Sequence, residues 1–284
     1  MTDPWARPPQ QPGPPPGQFP PDPGQPVPAA PEDSSFPAKL KRIFSDPVSV
    51  VLVVVIVLAL VFACLLGGEL YARNRADTIV AGTVECVVQD DATASFGVMP
   101  PFLLQHMSGH YTNIRIETAG NQVRDAKGMK VNLDINDVRL EDTPTSSGSI
   151  GSLVANISWS TEGIKQTIQG AIPLVGSFVT GVTTNASDGT IELEGALGSI
   201  TAKPEVVNGG LSLQVQRVTG LGFTLPREAV QPALDAFTSE LTQDYPMNIK
   251  ADSVEVTDSG VISQFSTRNA SIPKGQQDPC FAGL

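Results

Sequence analysis

FGVMPPFLLQHMSGHYTNIRI, residues 96–116, changes its period halfway along. Phe96, Val98, Met99, Phe102, Leu103, Leu104 and Met107 form an apolar cluster too dense for a surface loop, so they must pack or meet lipid. Pro100-Pro101 can open a short helix and Gly109 can close it. From Tyr111 the chain alternates apolar and polar residues, the mark of a strand with one wet face. A helical lid feeding directly into a sheet places the chain in the α+β class.

Downstream the alternation recurs in MKVNLDINDVRL (129–140), LVANISW (153–159), TIELEGAL (190–197), GLSLQVQRV (210–218), NIKADSVEV (248–256) and VISQFST (261–267). Ser187-Asp188-Gly189, Asn208-Gly209-Gly210 and Asp258-Ser259-Gly260 supply hairpin turns, which together predict a meandering antiparallel sheet. PREAVQPALDAFTSELTQD (226–244) predicts one late helix with Val230, Leu234, Phe237 and Leu241 on a stripe, and EGIKQTIQG (162–170) a shorter one. No linker-like break follows residue 67, which suits a single domain over 67–284.

Upstream, VSVVLVVVIVLALVFACLL (48–66) runs 19 residues without a charge, the length of a bilayer-spanning helix. More than 40 residues precede it, unlike a cleavable signal, and Phe62-Ala63-Cys64 fits a lipoprotein signal only loosely. Lys39, Lys41 and Arg42 form a basic juxtamembrane segment, 39–47, which predicts a cytoplasmic N-terminus and an extracytoplasmic, periplasmic C-terminal domain. Glu69 to about Val88 suits an amphipathic helix continuing out of the membrane. Residues 1–38 hold 14 of the 25 prolines and few aliphatic residues, a composition expected to stay disordered.

Subtracting the 4 basic and 5 acidic residues of 1–66 from the totals of 18 and 29 leaves 14 and 24 beyond the span, a formal charge of −10. That excludes nucleic acid as a partner and disfavours electrostatic docking on anionic lipid. Beyond the span only Cys86 and Cys280 remain, and in an oxidising compartment they most simply pair as a disulfide, the alternative being two free thiols.

Catalytic chemistry has little to stand on. His106 and His110 have the i, i+4 spacing of a zinc pair, but Met107 stands where a metalloprotease carries Glu, Gly109 interrupts the helix and no third ligand is near. No nucleophile elbow, P-loop or dinucleotide fingerprint occurs. Asp134, Asp137, Glu141 and Asp142 lack the spacing of a calcium loop and read as a solvated strand end. No catalytic residue, metal or cofactor is expected.

Phe96-Gly97, Pro101-Phe102-Leu103 and Ser108-Gly109-His110-Tyr111, followed by alternating Ile114 and Ile116, resemble the opening of the actinobacterial DUF2993 proteins, relatives of lipomannan elongation factor A described as phospholipid-binding. Val138-Arg139-Leu140 and the closing stretch from Tyr245-Pro246 extend the resemblance over nearly all of 69–273. Val98-Met99-Pro100 and His110 depart from the family's usual Gly-Phe and Arg. The resemblance implies a tubular lipid-binding fold, a strongly curved antiparallel sheet wrapped around a long amphipathic helix and enclosing an apolar channel. Phe102, Leu103 and Met107 would then lie near its mouth, and Phe178, Phe223, Leu225, Leu234, Phe237 and Leu241 along it. The expected function is a membrane-anchored carrier holding phospholipid or glycolipid acyl chains, in support of cell-envelope assembly and with a possible envelope-biosynthesis protein partner. The alternative is a non-enzymatic scaffold whose outer domain binds a protein.

Overall fold

A computed structural model describes residues 46–171, 179–229, 231, 232, 235, 246–274 and 279–281. The chain divides into two units, Met1–Leu60 and Val61–Leu284. In the first, the described residues are the opening turns of helix α1, Pro47–Val88. Every residue of its apolar run is at most half-buried, and among the described residues it is the one helix long and apolar enough to cross a membrane.

In the second unit α1 continues through Gly67 and Gly68 without a break, and its half-buried positions include Glu69, Ala72, Arg73, Ala76, Asp77, Val80, Val84 and Val87. These recur every three to four residues, the period of one helix face. The apolar Leu70 and Ile79 of the same stretch are exposed. Cys86 in α1 forms a disulfide with Cys280, their Cα atoms 5.7 Å apart, which ties the helix to the 3-10 turn Pro279–Phe281.

After α1 come β1 (Ala92–Phe96), α2 (Phe102–Ser108), β2 (His110–Thr118), the short strands β3 (Gln122–Val123) and β4 (Ala126–Lys127), β5 (Met129–Arg139) and β6 (Ser146–Ser160). Helix α3 (Thr161–Ala171) precedes β7 (Val179–Asn185), β8 (Thr190–Gly195), β9 (Gly198–Val207), β10 (Gly210–Gly220) and β11 (Phe223–Leu225). Strands β12 (Lys250–Thr257) and β13 (Gly260–Pro273) close the fold. The late helix expected over 226–244 falls mostly outside the described residues; Arg227–Ala229 form a 3-10 turn, and residues 231, 232 and 235 are helical.

The strands form two principal sheets rather than the single one expected. Six strands run β1-β2-β5-β6-β13-β12 and five run β11-β10-β9-β8-β7, antiparallel throughout, and neither order closes into a barrel. Alternation identifies strands but not partners. Here β13 returns across more than a hundred residues to pair with β6, so that Gln264 donates to Asn156 at 3.1 Å, while the chain between them builds its own sheet of hairpins. The two meet where Ala251 N–H in β12 donates to the Gly209 carbonyl at 2.8 Å in the β9–β10 turn. That turn has φ +56° at Asn208 and +79° at Gly209, the left-handed pair that suits a two-residue hairpin.

Register sorts the six-stranded sheet into two faces. Ala94, Ile116, Leu133, Ala155, Phe265 and Ala251 stand opposite one another on successive strands, one apolar stripe across all six. Beside it lies Phe96, Ile114, Ile135, Leu153. The reverse face is a polar ladder in which Arg115 pairs with Asp134 at 2.8 Å, Asn113 with Asn136 at 2.9 Å and Lys130 with Glu117. Cross-strand pairs of this kind reinforce the register from the wet side.

One rung breaks the alternation. Asp137 and Asn269 adopt φ +55° and +50° on β5 and β13, with Gly151 of β6 between them, so Val138, Ile150 and Ala270 turn inward although parity would send them out. A Cβ on Gly151 would lie 2.7 Å from the Cβ of Asp137, which leaves only glycine room there. The inward face thereby shifts by one residue, with Val138 opposite Tyr111 of β2.

Candidate functional site

Helix α2 buries one apolar and one polar side chain and exposes two large apolar ones. Phe102 is 4% exposed and Gln105 only 1%, whereas Leu104 and Met107 face outward, Met107 at 83%. Val98 and Met99, in the loop before the helix, are exposed as well. Leu103 is half-buried.

Three side chains of α1 fasten this segment. Asp77 accepts the Phe96 N–H at 3.1 Å; Arg73 donates to the carbonyls of Phe96 at 3.2 Å and Gly97 at 3.1 Å; Glu69 accepts from Phe102 and, at 3.0 Å, from Leu103. Pro100 and Pro101 have no N–H, and no local side chain caps α2, so a carboxylate from 33 residues upstream takes its first free donors. Arg73 also bonds Glu69 at 3.2 Å, one turn along α1. Burial works against the Glu69 charge, but the Leu103 and Phe102 N–H groups and Arg73 outweigh it and hold the carboxyl below its ordinary range. At Asp77 burial prevails over the Phe96 hydrogen bond and the Arg73 charge, and the carboxyl is raised.

The buried face of α2 is fixed just as closely. Gln105 donates to the carbonyls of Gly97 at 3.0 Å and Pro100 at 2.6 Å, and accepts the Thr112 N–H at 3.0 Å, which satisfies a side chain that would otherwise be costly to bury. Phe102 packs edge-on against Phe96, centroids 5.1 Å apart, and near Tyr111. Gly109 ends the helix at φ +65°, its N–H donating to the carbonyl of His106 at 3.2 Å.

That turn separates the two histidines. His106 on α2 meets the Tyr111 hydroxyl at 2.9 Å, while His110 on β2 pairs with Asp137 at 2.5 Å. The carboxylates of 134–142 likewise disperse: Asp134 to Arg115, Asp137 to His110 and Arg139, Asp142 to Lys274. Among the described residues no group of three His, Cys, Asp or Glu is placed to hold a metal.

Of the residues expected to line a channel, Phe178, Leu234, Phe237, Leu241 and the side chain of Leu225 lie outside the described residues. Phe223 is 73% exposed at the start of β11, next to a turn where Leu221 N–H bonds the Leu197 carbonyl at 2.8 Å. Half-buried apolar residues in contact with the core do occur on the six-stranded sheet: Ile114, Leu133, Ile135 and Ile157. By contrast, a cavity of about 760 Å³ on the second sheet is lined by polar residues, among them Thr183, Glu192, Thr201, Lys203, Glu205 and Arg217, and offers nothing to an acyl chain. The clamp residues Glu69, Arg73, Asp77 and Gln105 did not stand out in the sequence. For Glu69, Arg73 and Asp77 the one signal is the i, i+4, i+8 spacing of alternating charge in ELYARNRAD.

Compared with known proteins, residues 65–266 match the family model described as LmeA-like phospholipid-binding. Proteins of Mycobacterium bovis and of two strains of Mycobacterium tuberculosis, each described as uncharacterized, are 55% identical over 258 residues, covering 90% of this chain and 74% of each relative. No solved structure matches.

Proposed function

Since the chain belongs to the LmeA-like phospholipid-binding family, we propose that it is a membrane-anchored, extracytoplasmic protein that binds or transfers lipid without chemistry of its own. The apolar run of α1 would span the membrane once, with the N-terminus cytoplasmic, and residues 67–284 would be the lipid-binding domain. Phospholipid or glycolipid acyl chains would lie along the apolar face of the open six-stranded sheet, and the protein would serve cell-envelope lipid assembly.

The half-buried stripe of Ile114, Leu133, Ile135 and Ile157 carries this reading. Exposing two acyl chains to water costs roughly 20 kcal/mol at about 0.8 kcal/mol per methylene, whereas moving them from bilayer to an apolar protein surface is nearly neutral. A carrier therefore needs an apolar face and closeness to the membrane, and no catalytic group.

The test is photo-crosslinking of the full-length protein with a phospholipid carrying a diazirine in its acyl chain, followed by peptide mapping. Adducts within β2, β5 and β6 support lipid binding by the sheet. Adducts confined to 48–66 reduce the lipid contact to that of an anchor and favour a scaffold that binds protein instead.

A further inference from the structure

The clamp on α1 sets both the direction and the height of α2. From β1 onward the chain bonds first to Asp77, then to Arg73, then to Glu69, stepping along α1 toward the end of its apolar run. Each step of four residues is about 6 Å. Glu69 is three residues past Leu66, about 4.5 Å along the axis, and helical side chains lean toward the N-terminus. A bilayer's polar zone is roughly 5–8 Å deep on each side. With the apolar run in the membrane, the first turn of α2 stands at headgroup depth.

At that depth the segment turns outward the side chains that fit lipid. Val98, Met99, Leu104 and Met107 are exposed, and Leu140, whose N–H donates to the Gly109 carbonyl at 2.9 Å, extends the patch past the end of the helix. Residues 98–110 contain no Asp, Glu, Lys or Arg. The patch is not a loose loop caught in an open state, because Glu69, Gln105, Phe102 and Gly109 hold its backbone from four sides.

We propose that the Val98–Met107 segment is a membrane-docking surface, inserted in the headgroup–acyl boundary of the leaflet from which α1 emerges. This rests on the reading that α1 spans the membrane. The outer domain is then held by two attachments, the anchor and α2, and the Tyr111 end of the six-stranded sheet faces the lipid. Binding is by apolar insertion without basic residues, so it needs no anionic lipid.

The experiment places single nitrobenzoxadiazole labels on full-length protein in nanodiscs of zwitterionic phosphatidylcholine, one copy per disc. Cys64, the free cysteine among the described residues, is replaced by Ser and the Cys86–Cys280 disulfide is retained. Labels replace Met107 (Met107→Cys), Met99 (Met99→Cys), Phe62 (Phe62→Cys) in the anchor, and Gln216 (Gln216→Cys) on the polar face of β10. With doxyl-labelled phosphatidylcholine, probes at 99 and 107 should lose about half or more of their emission, as suits a depth of about 5–10 Å into the boundary, and the probe at 216 should not change. Quenching at 62 without quenching at 99 and 107 overturns the docking surface and leaves the anchor standing. No quenching at 62 removes the anchor and the docking surface together. A blue shift at 107 that appears only with two copies per disc assigns the patch to a second copy and overturns the proposal.

Discussion

The Glu69 carboxylate accepts the backbone N–H of Phe102, so the residue that opens α2 is capped by a helix 33 residues earlier. Glu69→Ala leaves two donors at the start of α2 without their acceptor and should cost about 1–2 kcal/mol. Hydrogen exchange at Phe102 and Leu103 should quicken in the same variant. Asp77→Asn should stay within about 0.5 kcal/mol of the parent, since the amide oxygen still accepts from Phe96 and burial already disfavours the charge there. Equal losses in both variants would contradict this account of the clamp.

Asp90 makes stability depend on acid. Its carboxylate accepts the N–H groups of Gly120, Asn121 and Gln122 and the Asn121 side chain. Burial opposes the charge, but the Asn121 side chain and the backbone N–H groups of Gln122, Asn121 and Asp91 prevail and lower its pKa from 3.8 to about 2. The contribution is therefore full above pH 3.8 and is lost as pH falls through about 2. Between pH 5 and 2 the Asp90→Asn variant should lose less stability than the parent, as read from urea midpoints.

The Cys86–Cys280 bridge closes a loop of 194 residues. Chain-entropy arithmetic gives up to about 5 kcal/mol, with typical measured values of about 2–4 kcal/mol. Reduction, or the pair Cys86→Ser and Cys280→Ser, should lower the Tm by several degrees or more and speed proteolysis near the C-terminus. An unchanged Tm would mean that the unfolded chain is already compact between these points.

The rung of Asp137, Gly151 and Asn269 should be intolerant of bulk. Gly151→Ala brings a methyl group against the Asp137 side chain and should cost about 1–3 kcal/mol. Adding Asp137→Gly removes the opposing Cβ and supplies a residue at ease with positive φ, so the double variant should recover part of the loss. Denaturant unfolding of the four species measures the coupling, and strict additivity would refute it.

The local grammar of this protein was legible without coordinates. Nineteen uncharged residues made α1 long enough to span a bilayer, alternation marked β2, β5, β6, β8, β10, β12 and β13, and Pro100-Pro101 with Gly109 bracketed α2. Each depends on neighbours within a turn or a pleat, where sequence spacing is spatial spacing. Strands β1, β7 and β9 are not legible in this way, since Ala, Thr, Gly and Pro dilute their alternation, and β11 is too short at three residues. One slip was visible in principle: in VNLDINDVRL the inward period runs Val131, Leu133, Ile135 and then jumps to Val138, which marks the turn of the backbone at Asp137.

Contacts between distant residues belonged to the tertiary structure alone. Composition says that Phe102 and Met107 are both apolar, not that one is buried against Phe96 while the other stands in the open; that depends on where Glu69 and Gln105 hold the helix. Likewise the division into two sheets follows from β13 joining β6 across the whole second sheet, a pairing that costs loop-closure entropy and gains register. Periodicity assigns each residue a face. Which partner that face meets is decided by the free energy of the assembled chain.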